Sequence, residues 1–278
     1  MVISDELRAN MESVIELAGQ AGERILEIYD SEFEVEQKAD QSPLTLADKA
    51  AHDLIVSRLR EITPELPVLS EEGAGIEYAE RARWQRYWLI DPLDGTREFV
   101  NRNGEFTVNI GLIEGDAPVM GVVHTPVKGI HHWAVQGHGA YRRNSDGVDH
   151  KIEVRPYHGG RAKVVASRSH ARGSALAEFT TRLEQREGPY DTINMGSALK
   201  LCLIAEGAGD VYPRLGPTSE WDTAAAQCVV EEAGGQVTDC KGSRLVYNKP
   251  SLLNPWFIVS GNSYGWISLL KGIEIDTD

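Results

Sequence analysis

The stretch WLIDPLDGTREF, residues 88–99, runs an apolar segment into two aspartates, Asp91 and Asp94, followed at once by Gly95 and Thr96. With Tyr87 before it, the apolar part reads as a buried strand, and its end as a turn into a helix. Pro92 fixes one backbone angle between the acids, so both carboxylates can face one point. Two carboxylates that close repel, and one is driven to hold a proton unless a cation lies between them. No His or Cys is near, so magnesium, a hard ion that takes oxygen ligands, fits better than zinc. The carbonyl of Leu93 is a natural further ligand. The competing reading is a turn through Asp94-Gly95-Thr96 with Asp91 as its cap. The motif by itself leaves both open.

Working outward, Leu7, Met11, Val14, Ile15, Ala18, Ala21, Ile25 and Ile28 recur every three or four residues and predict an amphipathic first helix. TLADKAAHDLIVSRLREI predicts a second, with Thr45 as N-cap and Asp48 as the box residue three later. After LPVLSEEG, the segments YWLI, FTVNIGLIE, PVMGVVHTP and IHHWAVQ read as strands of a large, mostly antiparallel sheet. GHGAYRRNSDGVDHKIEV adds a hairpin. From Arg161 onward strands and helices alternate: AKVVAS, ALAEFTTRLEQR, ALKLCLIAEG, DVYPR, TAAAQCVVEEAGG, QVTD and WFIVSG. The expected organisation is a lobe over 1–155 carrying the helix pair, the large sheet and a metal site. A smaller α/β lobe over 156–278 carries substrate specificity, the two forming one compact unit.

The 278 residues, 41% of them hydrophobic, suffice for a real core. A net charge of −14, from 28 Lys+Arg against 42 Asp+Glu, argues against a nucleic-acid polymer as partner, since phosphate-backbone affinity needs a basic face. A small anion remains compatible with a locally positive site. The N-terminus lacks the charge and apolar run of a signal peptide and no run reaches membrane-spanning length, so a cytoplasmic protein without an integral membrane segment is expected. Cys202, Cys228 and Cys240 show neither disulfide nor zinc spacing and read as buried thiols.

Other acids repeat the opening pattern. Glu71 and Glu72 follow the strand-like LPVL and precede Gly73; alone they read as a solvated loop. Asp222, in EWDTAAA, is either the N-cap of the following helix or a carboxylate facing a metal and its phosphate. Asp48 carries the same ambiguity.

In chain order, SPLTLAD, LSEEG, WLIDPLDGTREF and EWDTAAA resemble the signatures of the inositol monophosphatase-like, lithium-sensitive phosphatase superfamily, over nearly the whole chain. With NGEFTVNI, SRSH, GSALK and YPRLGPT they are similar to its bacterial 3'(2'),5'-bisphosphate nucleotidase branch. The resemblance implies an α/β fold of the layered α+β kind, a five-layer αβαβα sandwich. It implies hydrolysis of adenosine 3',5'-bisphosphate to AMP, with the sulfated analogue as a second substrate. Two or three Mg2+ ions and inhibition by Li+ go with it, as does peripheral association with the inner membrane in some relatives. It implies Glu71, Asp91, Asp94, Asp222 and the Leu93 carbonyl as metal ligands, and Asp48 with Thr96 as the pair activating the attacking water. Gly95 and Thr96 amides, Ser197, Lys200, Arg214 and Asp222 are implied to contact substrate, and His170 to lie near the adenine or its adjoining phosphate, unless it is simply a surface residue. Ala198 departs from the commoner GSSLK.

The physical chemistry agrees with this assignment. Phosphate monoesters hydrolyse very slowly, and metal ions make water nucleophilic at neutral pH while stabilising the leaving alkoxide. Inositol phosphate and fructose 1,6-bisphosphate hydrolysis share these acids, so only GSALK, YPR and SRSH favour a bisphosphate nucleotide. Haloacid dehalogenase-like phosphatases space their acids two apart; here the spacing is three, which argues against a phosphoaspartate. A phosphonucleotide-binding regulatory protein would be expected to have lost a ligand, and none is lost.

Overall fold

The computed structural model describes residues 2–31, 43–167, 174–262 and 264–273. It opens with α1 (Val2–Tyr29) and α2 (Pro43–Ile62), then β1 (Val68–Ser70), a 3-10 turn (Glu71–Gly73), α3 (Tyr78–Arg81), β2 (Arg86–Asp94) and α4 (Thr96–Val100). The long strands β3 (Thr107–Glu114), β4 (Ala117–Thr125), β5 (Ile130–Val135), β6 (Gly139–Arg143) and β7 (Asp149–Ile152) follow. The remainder is β8 (Lys163–Ala166), α5 (Ser174–Glu187), β9 (Asp191–Asn194), α6 (Leu199–Ala205), β10 (Val211–Arg214), a 3-10 turn (Glu220–Asp222), α7 (Ala224–Glu232), β11 (Gln236–Asp239), β12 (Phe257–Ser260) and a 3-10 turn (Trp266–Leu270).

Seven strands make one sheet in chain order, β1 to β7, antiparallel throughout except for the parallel β1–β2 pair. The other sheet has the order β11-β12-β10-β8-β9. Alternation along the strands sorts their side chains to two faces. Met120 and Val122 of β4, with Trp133 and Val135 of β5, join Met11, Val14, Ala18, Ile25 and Ile55 of the two long helices in one core. Val123 and Ala134 point the other way, to α6 and α7, whose far side meets Tyr212, Phe257 and Val259 of the second sheet. Phe179 and Leu183 of α5, with Trp266 and Leu269, cover that sheet's outer face on Val164, Val211 and Ile258. The layers therefore run helix, sheet, helix, sheet, helix: the expected five-layer sandwich.

Two local expectations are corrected. Helix α2 starts at Pro43, so Thr45 falls within its first turn and is not the N-cap; proline's fixed φ suits the first helical position. The N-cap of α7 is Thr223, and Asp222 ends the preceding 3-10 turn. Strand β9, half exposed and without an apolar run, was not foreseen. No helix among the described residues is long and apolar enough to cross a membrane.

Candidate active site

The parallel pairing of Ser70 with Ile90 brings Glu71 out of β1 beside Asp91. Residues three apart on a regular strand face opposite ways. Here Asp91 pairs with Asn109 and Asp94 with Thr107, so three steps on β2 oppose two on β3. That extra residue is a bulge, and Pro92, with no N–H to leave unpaired, lies inside it. The bulge turns both carboxylates to one side. Asp222 arrives from the 3-10 turn before α7, its Oδ2 accepting Ser219 N at 2.8 Å. Carboxylate oxygens of Asp91, Asp94 and Asp222 then lie within 4.8 Å of one another.

Burial, reinforced by Asp94, Glu71, Asp222 and Asp48, holds the Asp91 carboxyl well above the usual range. Burial and Asp94 push Asp222 up to about 7. Burial also raises Glu71, against a hydrogen bond it shares with Asp91. It raises Asp94 as well, opposed by Lys200 and by the amide of Ala198, which donates to Asp94 Oδ2 at 2.6 Å. Thus Ala198 supports this acid through its backbone amide. All the donors are oxygens, and Lys200 and Arg214 offset their burial and mutual repulsion only in part, which fits a hard divalent ion.

Glu71, Asp91, Leu93, Asp94, Gly95, Thr96, Ser197, Lys200, Arg214 and Asp222 all line one open cleft of about 850 Å³, mouth included. Lys200 is 6% exposed, its Nζ donating to Ser197 O at 2.6 Å and lying 5.7 Å from the Tyr212 ring centre. Burial pulls its ammonium down to about 8, although Asp94 favours the charge. Arg214 donates to Pro217 O at 2.7 Å and keeps a buried, unpartnered Nε. Ser197 holds a left-handed φ of 45°, a conformation seldom kept without tertiary support.

Asp48 is not on the cleft lining. Burial, then Glu72 and Glu71, push its carboxyl up to about 8, and it shares a hydrogen bond with Glu72. Its Oδ1 is buried without a partner. Among the described residues no hydrogen bond joins it to Thr96. His170 lies outside the described residues.

Sequence reasoning missed the supports. Thr107 Oγ1 and Asn109 Nδ2 approach Asp94 Oδ2 at 3.5 and 3.3 Å. Glu105 Oε2 accepts Gly196 N at 2.9 Å, tying the GSALK turn to the large sheet. Polar Glu105, Thr107 and Asn109 at alternate positions of the otherwise apolar EFTVNIGL were the available signal.

Residues 7–261 match the inositol monophosphatase family profile. The 3'(2'),5'-bisphosphate nucleotidase CysQ of Salmonella typhimurium strain LT2 is 47% identical over 253 residues, 90% of this chain and 99% of that protein. CysQ of Haemophilus influenzae is 35% identical over 265 residues, 94% and 96% of the two chains. The crystal structure of CysQ from Bacteroides thetaiotaomicron, a bacterial member of the inositol monophosphatase family, shares 43% identity and a TM-score of 0.83, covering 92% of this chain and 98% of that one. With its layered fold and the acid motifs of β1, β2 and the turn before α7 in order, this chain belongs to the inositol monophosphatase family.

Proposed function

We propose that this chain is a magnesium-dependent 3'(2'),5'-bisphosphate nucleotidase that hydrolyses adenosine 3',5'-bisphosphate to AMP and phosphate, with the sulfated analogue as a second substrate. The observation that carries this reading is a single cleft lined both by three clustered carboxylates and by Lys200 and Arg214. Proteins named as this enzyme, up to 47% identical over 90% of the chain, support the substrate class.

Glu71, Asp91, Asp94, Asp222 and the carbonyl of Leu93 would hold two or three Mg2+ ions. Bound there, the ions supply positive charge for phosphoryl oxygens and make water a competent nucleophile near neutral pH. Lithium would inhibit by competing for the same carboxylate oxygens. The chain's own residues do the rest. Lys200 and Arg214 hold the phosphate that is not transferred, and a planar guanidinium suits two of its oxygens at once. Gly95, Thr96 and Ser197 orient the transferred group. Asp48 would take the proton that the Thr96 hydroxyl passes on; burial, Glu72 and Glu71 hold its carboxyl up to about 8 in the metal-free chain, and positive charge bound beside them would favour the ionised form that a base requires. The first 155 residues supply most of the metal wall, and the remainder supplies Asp222 and the cations. Three unpaired thiols, two of them buried, suit a reducing cytoplasm.

The test is phosphate release from adenosine 3',5'-bisphosphate, inositol 1-phosphate and fructose 1,6-bisphosphate side by side, with magnesium, with and without lithium. The bisphosphate nucleotide is expected to be preferred and lithium to inhibit. A preference for either other substrate overturns the assignment.

A further inference from the structure

Asp222 sits at the end of a 3-10 turn whose first residue is a buried carboxylate. Glu220, two residues earlier, is 0% exposed. Its side chain accepts Asn248 N at 2.8 Å, Lys249 N at 3.0 Å and Lys249 Nζ at 2.5 Å. A carboxylate withdrawn from water is tolerable only with such a full set of donors. Those donors come from one strap, residues 248–254, which is itself fixed from both sides. Arg81 donates to Asn248 Oδ1 and Lys249 O, both at 3.2 Å, and accepts from Asn248 Nδ2 at 2.9 Å through its carbonyl. Asn254 Nδ2 donates to Ser219 O at 2.7 Å, and Glu220 N to Leu252 O at 2.8 Å. The 3-10 turn thus has few ways to shift, and Asp222, bonded back to Ser219 N, rides on it.

We propose that Glu220 is a positioning residue for Asp222: its buried carboxylate locks the turn to the 248–254 strap and sets the approach of Asp222 to Asp91 and Asp94. This rests on the reading that those acids hold magnesium. A residue that merely filled space would contribute to stability without governing metal affinity. One that orients a ligand governs affinity, and lost outer supports of metal ligands typically cost roughly ten- to a hundredfold.

Magnesium binding to the wild type, Glu220→Ala and Glu220→Gln is measured by titration calorimetry and by the rise in Tm on adding magnesium, beside phosphate release at saturating magnesium. Glu220→Ala is expected to bind magnesium roughly ten- to a hundredfold more weakly, with kcat largely recovered at saturation. Glu220→Gln keeps an acceptor for the two amides and is expected to fall between. Equal magnesium affinity in wild type and Glu220→Ala overturns the proposal, even if the variant melts earlier. Should Glu220→Ala fail to fold, Lys249→Met, which leaves the amide bonds in place, is expected to weaken binding in the same direction, and unchanged affinity overturns the proposal. A wild type that binds no magnesium overturns the metal-site reading and this inference with it.

Discussion

Asp91 is 1% exposed and crowded by Asp94, Glu71 and Asp222, so its charge is a burden on the metal-free fold. Its raised carboxyl means that the stability it contributes is present at acid pH and lost as pH rises and the proton leaves. Asparagine removes that burden and still accepts from Leu93 N, now 3.1 Å from Asp91 Oδ1. Asp91→Asn is therefore expected to abolish magnesium-dependent phosphate release while raising the Tm of the metal-free protein at about pH 8. A site built for function at the expense of stability behaves this way. Near-normal turnover in a folded variant would remove Asp91 from the metal site. A lowered metal-free Tm would show that its charge is no burden.

At the scale of elements, the seat of α7 decides where Asp222 can stand, because the helix begins two residues after it. Gly111 of β3 and Gly121 of β4 are register partners. A Cβ on Gly121 would lie 2.2 Å from the Ala225 carbonyl oxygen, and one on Gly111 3.1 Å from Ala225 N. The paired glycines let the first turn of α7 rest backbone against sheet. Gly121→Ala is expected to cost about 1–3 kcal/mol in urea unfolding, as overpacking does, and to shrink the magnesium-induced rise in Tm by tilting the turn that bears Asp222. An unchanged urea midpoint would show that the helix shifts at no cost. Glycines inside FTVNIGLIE and PVMGVVH signal a close backbone approach. What approaches them is not written nearby, since Ala225 is remote in the chain.

For the whole molecule, the −14 charge matters most where acids converge. Burial and like charge lift Asp222 to about 7 and Asp48 to about 8, and raise Glu71, Asp91 and Asp94. The unfolded chain ionises these groups near pH 4. Between about pH 4 and pH 8 the metal-free folded state therefore binds more protons than the unfolded one, and stability from these groups falls as pH rises. Magnesium held by these carboxylates would have to displace those protons, so its affinity would climb over the same window. Scanning calorimetry is expected to show a larger magnesium-induced rise in Tm at about pH 8 than at about pH 6. A rise independent of pH would place the ion away from these acids.

Much of the fold was legible in the chain itself. The three-and-four spacing from Met11 to Ile25 reports α1, and the apolar runs report the strands, because helix and strand periods follow from local covalent geometry. The family motifs, as a resemblance, named a set of acids and predicted the layered sandwich. Local pattern could not show that Asp91 and Asp94, three apart, would share a side; that needed a bulge defined only by pairing with β3. Nor could it show that Asp48 would lie against Glu72, or that Thr107, Asn109, Glu105 and Glu220 would brace the cleft. By itself the sequence determined which elements form and which residue types are available for chemistry. Tertiary structure alone decided which carboxylates occupy one space, because that depends on register and on packing between segments far apart in the chain.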